Sequence, residues 1–251
     1  MTPRLRQFLF ETLYRNKYLY RFASTVPFAG QWRAWQRQIL PRLHGHDVLE
    51  LGCGLGDLLA DMLDIGYACR AVERSPQMVR AARETLQKRK LGSPGLVVQG
   101  SAQHLPFADS SFDNVVSTFP SEYIYDPHTI AEIARVLRPG GRLIVIEGAN
   151  LLSVGLFQPI LLLLQMLVYG PAAGKKYPPA NGTQKSGKNV IPNDHSTHLE
   201  IFNQTVENAT FGQHIPLEQH NLKRRSEIAR SRRWEVYITI GEKVEGTADR
   251  A

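Results

Sequence analysis

The chain has 251 residues, 43% hydrophobic and 21% charged, the composition of a soluble globular protein long enough to bury a core. Its two cysteines, Cys53 and Cys69, have no metal-type spacing; they argue against a disulfide framework and suit a reducing, cytoplasmic compartment. A formal charge of +7 admits an acidic partner, a membrane surface or nucleic acid.

The first stretch, MTPRLRQFLFETLYRNKYLYRF, is no signal peptide, because charges and tyrosines interrupt every apolar run. It reads as a basic amphipathic helix with Leu5, Phe8, Leu9 and Leu13 on one side, packed on the domain or resting on a membrane surface. A second helix is expected over QWRAWQRQIL, ending near Pro41, whose ring removes a donor. DVLEL (47–51) reads as a short buried strand, followed by a glycine turn into a helix, and ACRAVE (68–73) as a second strand. Ser75–Pro76 is a helix start: a side-chain cap, then a residue whose missing N–H costs nothing there. GLVVQ (95–99) and FDNVVSTF (112–119) are two further apolar strands.

Asp126–Pro127 opens another helix, with Ile130, Ile133, Ala134 and Leu137 forming a core-facing stripe. RPGG (138–141) ends it, and RLIVIEG (142–148) is a fifth strand. Strands alternating with helices imply right-handed crossovers and an α/β, doubly wound, mostly parallel sheet, with ligands beyond the carboxyl ends of its strands. After residue 150 the rhythm breaks. LLSVGLFQPILLLLQMLVYG (151–170) is the most apolar stretch, but Gln158, Pro159, Gln165 and two glycines interrupt it, so it reads as a buried or surface-docking helix. The Gly-, Pro- and Lys-rich segment after it reads as a mobile loop, and the tail offers two strands, the second alternating around Trp234, Val236, Ile238 and Ile240. The expected organisation is N-terminal cap helices over 1–45, a core over 46–150, an apolar insertion and loop over 151–220, and completing strands over 221–251.

The glycine turn carries the chemistry. In VLELGCGLGD, Gly52, Gly54 and Gly56 lie between Glu50 and Asp57. A dinucleotide site sets its pyrophosphate on the helix N-terminus with G-x-G-x-x-G spacing; here the third glycine comes one residue early and Asp57 takes the last place. Two anions repel a pyrophosphate, so the ligand should carry positive charge near the turn, as the ammonium and sulfonium of S-adenosylmethionine do. Glu73, about twenty residues on at the end of the second strand, suits a carboxylate accepting from both ribose hydroxyls.

Residues 46–148 resemble a class I S-adenosylmethionine-dependent methyltransferase, in the group that contains ubiquinone/menaquinone-biosynthesis and many small-molecule methyltransferases. The motifs are VLELGCGLG, AVERSPQMV, GSAQHLPFADSSFDNVVSTF and RVLRPGGRLIVIE, in order and correctly spaced. The resemblance implies a Rossmann-like seven-stranded sheet with N-terminal helices and a lid inserted after strand five. It also implies S-adenosyl-L-methionine as cofactor. Glu50, Gly52 and Gly54 would surround its methionine part and Gly56 would start the helix; Glu73 would hold the ribose. Arg74, Met78, Ser101, Ala102 and Gln103 would border the adenine, and Thr118, Phe119 and Pro120 would lie under the sulfonium. Ser101 departs from the family's usual Asp, which puts cofactor affinity in question rather than cofactor identity.

Methyl transfer needs alignment and water exclusion more than chemical groups. Glu122, Tyr123 and Tyr125, with Glu147, are placed to meet the acceptor; Glu122 and the tyrosines could orient or deprotonate it, or the tyrosines could simply form pocket wall. In DHSTH (194–198), His195 is a general-base candidate and not a metal ligand, since no third ligand accompanies it. TFPSE lacks the Asn-Pro-Pro-aromatic sequence of amino-methylating nucleic-acid enzymes and no RNA-binding module is visible, so no nucleic-acid partner is expected. The apolar insertion points to a small lipophilic or amphiphilic acceptor, with contact at a membrane surface. The competing readings are a nucleic-acid or protein methyltransferase and a non-catalytic cofactor-binding module.

Overall fold

The computed structural model describes residues 21–22, 25–26, 28–152, 159–160, 163, 186–189, 201–205, 211–231 and 233–244. Five strands come from the core: β1 (Asp47–Leu51), β2 (Ala68–Glu73), β3 (Val97–Gln99), β4 (Phe112–Thr118) and β5 (Leu137–Leu151). They pair in parallel in the order β3-β2-β1-β4-β5. The insertion adds β6 (Ser186–Asn189) and β7 (Ile201–Thr205), and the tail adds β8 (Leu222–Arg230) and β9 (Trp234–Lys243). β9 lies antiparallel between β5 and β8, so β8 runs with the first five strands. The expected seven-stranded, mostly parallel sheet is therefore present, with β9 its one reversed strand. β7 and β6 continue it past β8 to nine strands among the described residues, where no strand was expected.

Alternation along the strands sorts side chains onto two faces. Val48, Val116, Ile144 and Ile146 join Val236, Ile238 and Ile240 on one face, under α1 (Trp32–Gln36), α2 (Asp57–Asp64) and α3 (Pro76–Lys88). Leu49, Leu51, Val115, Leu143 and Val145 face the other way, covered by Ile130 and Ile133 of α4 (Pro127–Val136) and by Ile215 and Leu217. Of the stripe expected on α4, Ile130, Ile133 and Ala134 lie on the helix and face this core while Leu137 falls in β5, and the alternation expected on β9 is found. Both proline starts hold as well: Ser75 Oγ accepts from the Met78 N–H at 3.4 Å, and Asp126 Oδ1 from the His128 N–H at 2.9 Å.

Two boundaries differ from expectation. The second helix is α-helical only over α1 and tightens to a 3-10 helix over Arg37–Arg42, with Pro41 inside it. Pro41 has no N–H for the Arg37 carbonyl and its ring crowds that oxygen, so the chain leaves the α-helical ladder a turn earlier. β5 begins at Leu137, not Arg142: Leu137 pairs with Phe112, Arg142 with Asn114, and RPGG is looped out between them. Most of the N-terminal helix expected over 1–22, most of the apolar stretch 151–170 and the loop after it lie outside the described residues. Within the apolar stretch, Leu152, Ile160 and Leu163 are described and exposed. No described helix is long and apolar enough to cross a membrane.

Candidate active site

The carboxyl ends of β1 to β4 meet at the glycine turn. Gly52, Gly54 and Gly56 have φ of 70°, 54° and 76°, a left-handed backbone that side chains disfavour. Two of them would also place a side chain tightly against a neighbour. A Cβ on Gly52 would lie 3.1 Å from the Tyr123 hydroxyl, and one on Gly56 would lie 3.0 Å from the Ala82 backbone of α3. Gly52 thus makes room for the Tyr123 hydroxyl, while Gly56 lets α2 pack on α3.

Glu50 sits beneath this turn and is 1% exposed. Its Oε2 is buried without a hydrogen-bond partner. Burial, then the neighbouring charges of Glu73, Asp57 and Asp61, push its carboxyl up to about 8. Glu73 is held differently: its two oxygens accept from the Gly54 N–H at 3.0 Å and the Ser75 N–H at 2.8 Å. Two backbone bonds leave lone pairs on both oxygens, enough for two ribose hydroxyls. Asp57, in the first turn of α2, has the Arg21 guanidinium 3.5 Å away. A buried carboxylate oxygen with no partner, beside an open backbone elbow, fits a cation and does not fit a phosphate.

Around this centre the sequence-expected residues assemble. Gly100 donates to the Glu73 carbonyl at 3.1 Å, which brings Ser101, Ala102 and Gln103 next to Glu73. Met78 is fully buried with Leu55 and Ala81, while Arg74 is exposed. Thr118 ends β4; Phe119 then takes φ +51°, a left-handed conformation costing a bulky residue roughly 1–2 kcal/mol, and Pro120 follows half-buried. That turn lays the Phe119 ring on Trp32, with centroids 4.2 Å apart.

The acceptor-side residues divide. The Tyr123 hydroxyl lies 2.7 Å from Ser117 Oγ and 3.1 Å from the Leu51 carbonyl, bracing the ends of β1 and β4 under the turn. Glu122 and Tyr125 are exposed, and burial, then Glu147, raises the Tyr125 phenol. Glu147 is the extra residue of a bulge against β9, between the Ile146–Ile238 and Gly148–Tyr237 pairs. It accepts from the Gly212 N–H at 2.9 Å and from the Thr239 hydroxyl, and burial raises its carboxyl. His195 lies outside the described residues.

Four contributors were missed. Gln36 donates to Thr118 Oγ1 at 3.1 Å, and Phe28, Trp32 and Trp35 form an aromatic wall with Phe119. The signal was present: Phe28, Trp32 and Trp35 stand at i, i+4 and i+7, one face of a helix.

Residues 49–145 match the family model described as a methyltransferase domain. Over those residues the chain is similar to methyltransferase domains. It is 32% identical over 149 residues to a demethylmenaquinone methyltransferase of Symbiobacterium thermophilum, covering 57% of this chain and 58% of that one. It is 36% identical over 132 residues to a demethylmenaquinone methyltransferase of a Mycobacterium species, covering 51% and 54%. The chain spans little more than half the length of these curated relatives. A solved protein of Pyrococcus horikoshii, 19% identical with a TM-score of 0.51, matches over 87% of this chain and 94% of its own and shares this chain's fold.

Proposed function

We propose that the methyltransferase domain binds S-adenosyl-L-methionine and transfers its methyl group to a small lipophilic or amphiphilic acceptor. The observation that carries this is the buried Glu50 oxygen without a partner, set among Gly52, Gly54 and Gly56. When bound, the cofactor supplies a methyl group on a sulfonium, already activated toward in-line displacement. The protein's own part is placement. Glu50 answers the positive charge, Glu73 takes the ribose hydroxyls, and Tyr123 braces the turn between them. Thr118, Phe119 and Trp32 wall the methyl-bearing side against water. Such alignment can contribute several of the roughly 7–11 kcal/mol available to ideal positioning. Glu122 and Tyr125 meet the acceptor, and His195 is a further base for it.

The acceptor class rests on the wall of Phe28, Trp32 and Phe119, an apolar surface suited to a planar ring. The relatives' names make demethylmenaquinone the first acceptor to assay. The exposed Leu152, Ile160 and Leu163 support contact with a membrane surface, which liposome co-sedimentation at low and high salt tests.

Calorimetry with S-adenosylhomocysteine, NAD and ATP tests the cofactor. The sulfur nucleoside should bind and the phosphorylated ligands should not. Tight capture of either phosphorylated ligand, with the sulfur nucleoside ignored, overturns the reading.

A further inference from the structure

The loop after β3 and the start of α4 share a chain of three polar side chains that the methyltransferase reading leaves unexplained. Ser101 Oγ donates to Gln103 Oε1. Gln103 Nε2 donates to Asp126 Oδ2 at 3.1 Å. Asp126 Oδ1 accepts from the His128 N–H at 2.9 Å and caps α4.

The direction of this chain is set at one end. An ionised carboxylate only accepts, so the Gln103 amide must turn its NH2 toward Asp126. Its carbonyl oxygen then faces Ser101, and the Ser101 hydroxyl must spend its single proton on that oxygen. What Ser101 has left is lone pairs. The Asp126 carboxyl is held below its usual range, first by the Gln103 bond and then by the His128 N–H, so it is the charged acceptor at neutral pH.

We propose that Asp126, acting through Gln103, makes Ser101 an obligate acceptor and so selects a purine with an amino group at position 6. The inference rests on the S-adenosylmethionine reading, which places the adenine beside Ser101. A 6-amino group donates to those lone pairs, whereas a 6-oxo group meets them with its own. A serine thereby acts with a carboxylate's polarity, the charge standing two side chains away. Gln103 and Asp126 are positioning residues in this scheme; of the three, Ser101 is the one that bonds the 6-amino group.

The test is titration calorimetry of the full chain with S-adenosylhomocysteine and its 6-oxo counterpart, S-inosylhomocysteine. The two purines also differ at N1, equally in every variant, so the change in their affinity ratio carries the result. Asp126→Asn keeps the cap, because Asn is as good an N-cap as Asp and its oxygen still accepts from His128. Its NH2 then faces Gln103, the Gln103 amide turns over, and Ser101 is left with a proton to give. The preference for the amino purine should fall roughly tenfold, one hydrogen bond's worth. Gln103→Leu frees the hydroxyl and should lower the ratio in the same direction. The double variant S101D/Q103L should restore it, since a carboxylate accepts without help. An unchanged ratio in D126N and Q103L, both still binding the adenosyl compound, overturns the proposal. Binding of neither nucleoside by the wild type overturns the cofactor reading itself, and this inference with it.

Discussion

Replacing Glu50 by Gln should make the ligand-free protein more stable, by an amount that grows with pH. Glu50 is buried and its carboxyl lies at about 8, against an ordinary 4.5. Between those two values the folded chain holds a proton that the unfolded chain has released, so stability falls as pH rises through the window. At about 1.4 kcal/mol per pH unit the penalty reaches roughly 3 kcal/mol at pH 7 and levels off near roughly 5 kcal/mol above pH 8. Glu50→Gln has no charge to bury and escapes it. Urea denaturation at pH 5, 7 and 8.5 should show the variant and the wild type close together at the first pH and separated by several kcal/mol at the last. Parallel stability profiles would refute the buried charge. The same group gives a binding signature. A cationic ligand drives Glu50 to ionise, so binding at pH 7 should release close to one proton. Calorimetric enthalpies should then differ between phosphate and Tris buffers for the wild type and agree for the variant.

Gly56→Ala combines a positive φ with a contact of 3.0 Å on the Ala82 backbone and should cost about 2 kcal/mol or more, read from chemical denaturation. Asp61→Asn should cost about 2–4 kcal/mol in the same assay. Asp61 is 5% exposed and pairs with Arg33 at 2.5 Å, Arg89 at 2.9 Å and Arg37 at 3.8 Å, tying α1 to α2 and the end of α3, although the arginines' partial exposure screens part of the loss. Trp32→Ala should lower turnover of a lipophilic acceptor at least tenfold while changing the affinity for S-adenosylhomocysteine less than threefold, because Trp32 stacks on Phe119 and not on the glycine turn. Equal losses in both measurements would place Trp32 in the cofactor pocket instead.

What was legible in the sequence is what local chemistry determines. The strands β1 to β5 follow from short apolar runs, and the starts of α3 and α4 from a capping side chain followed by proline. The glycine turn announces itself because a left-handed backbone at three alternate positions requires glycine there. What was not legible depends on partners far along the chain. Gln36 and Thr118 are 82 residues apart, and Arg42 finds Glu227 across 185 residues at 2.8 Å. Neither bond leaves a mark in the residues around it. Tyr123 shows the same difficulty within the site. Its spacing from β4 suggested an acceptor contact, while its hydroxyl lies against Ser117 and Leu51 because the turn needs a brace where glycine leaves space. Glu147 was placed in the right strand, but the bulge that re-aims it depends on β9, about ninety residues later.

On the proposed cofactor reading, the charge arrangement at the turn is also what makes a fold shared with phosphate-binding proteins turn away from phosphates here. A helix N-terminus offers unpaired N–H groups and a partial positive charge, which ordinarily draw a phosphate. In α2 the first turn already contains Asp57, so that attraction is answered from within the chain. Glu73 takes the Gly54 N–H, another donor a pyrophosphate would want. With the Gly54 N–H engaged and Glu50 Oε2 left without a hydrogen-bond partner, the turn disfavours an anion and favours a cation. In the ligand-free protein at neutral pH, burial and the charges of Glu73 and Asp57 keep the proton on Glu50, and a sulfonium or ammonium reverses that balance. Neutralising Glu50 should therefore move stability and cofactor affinity in opposite directions, a pairing that a merely structural glutamate would not produce.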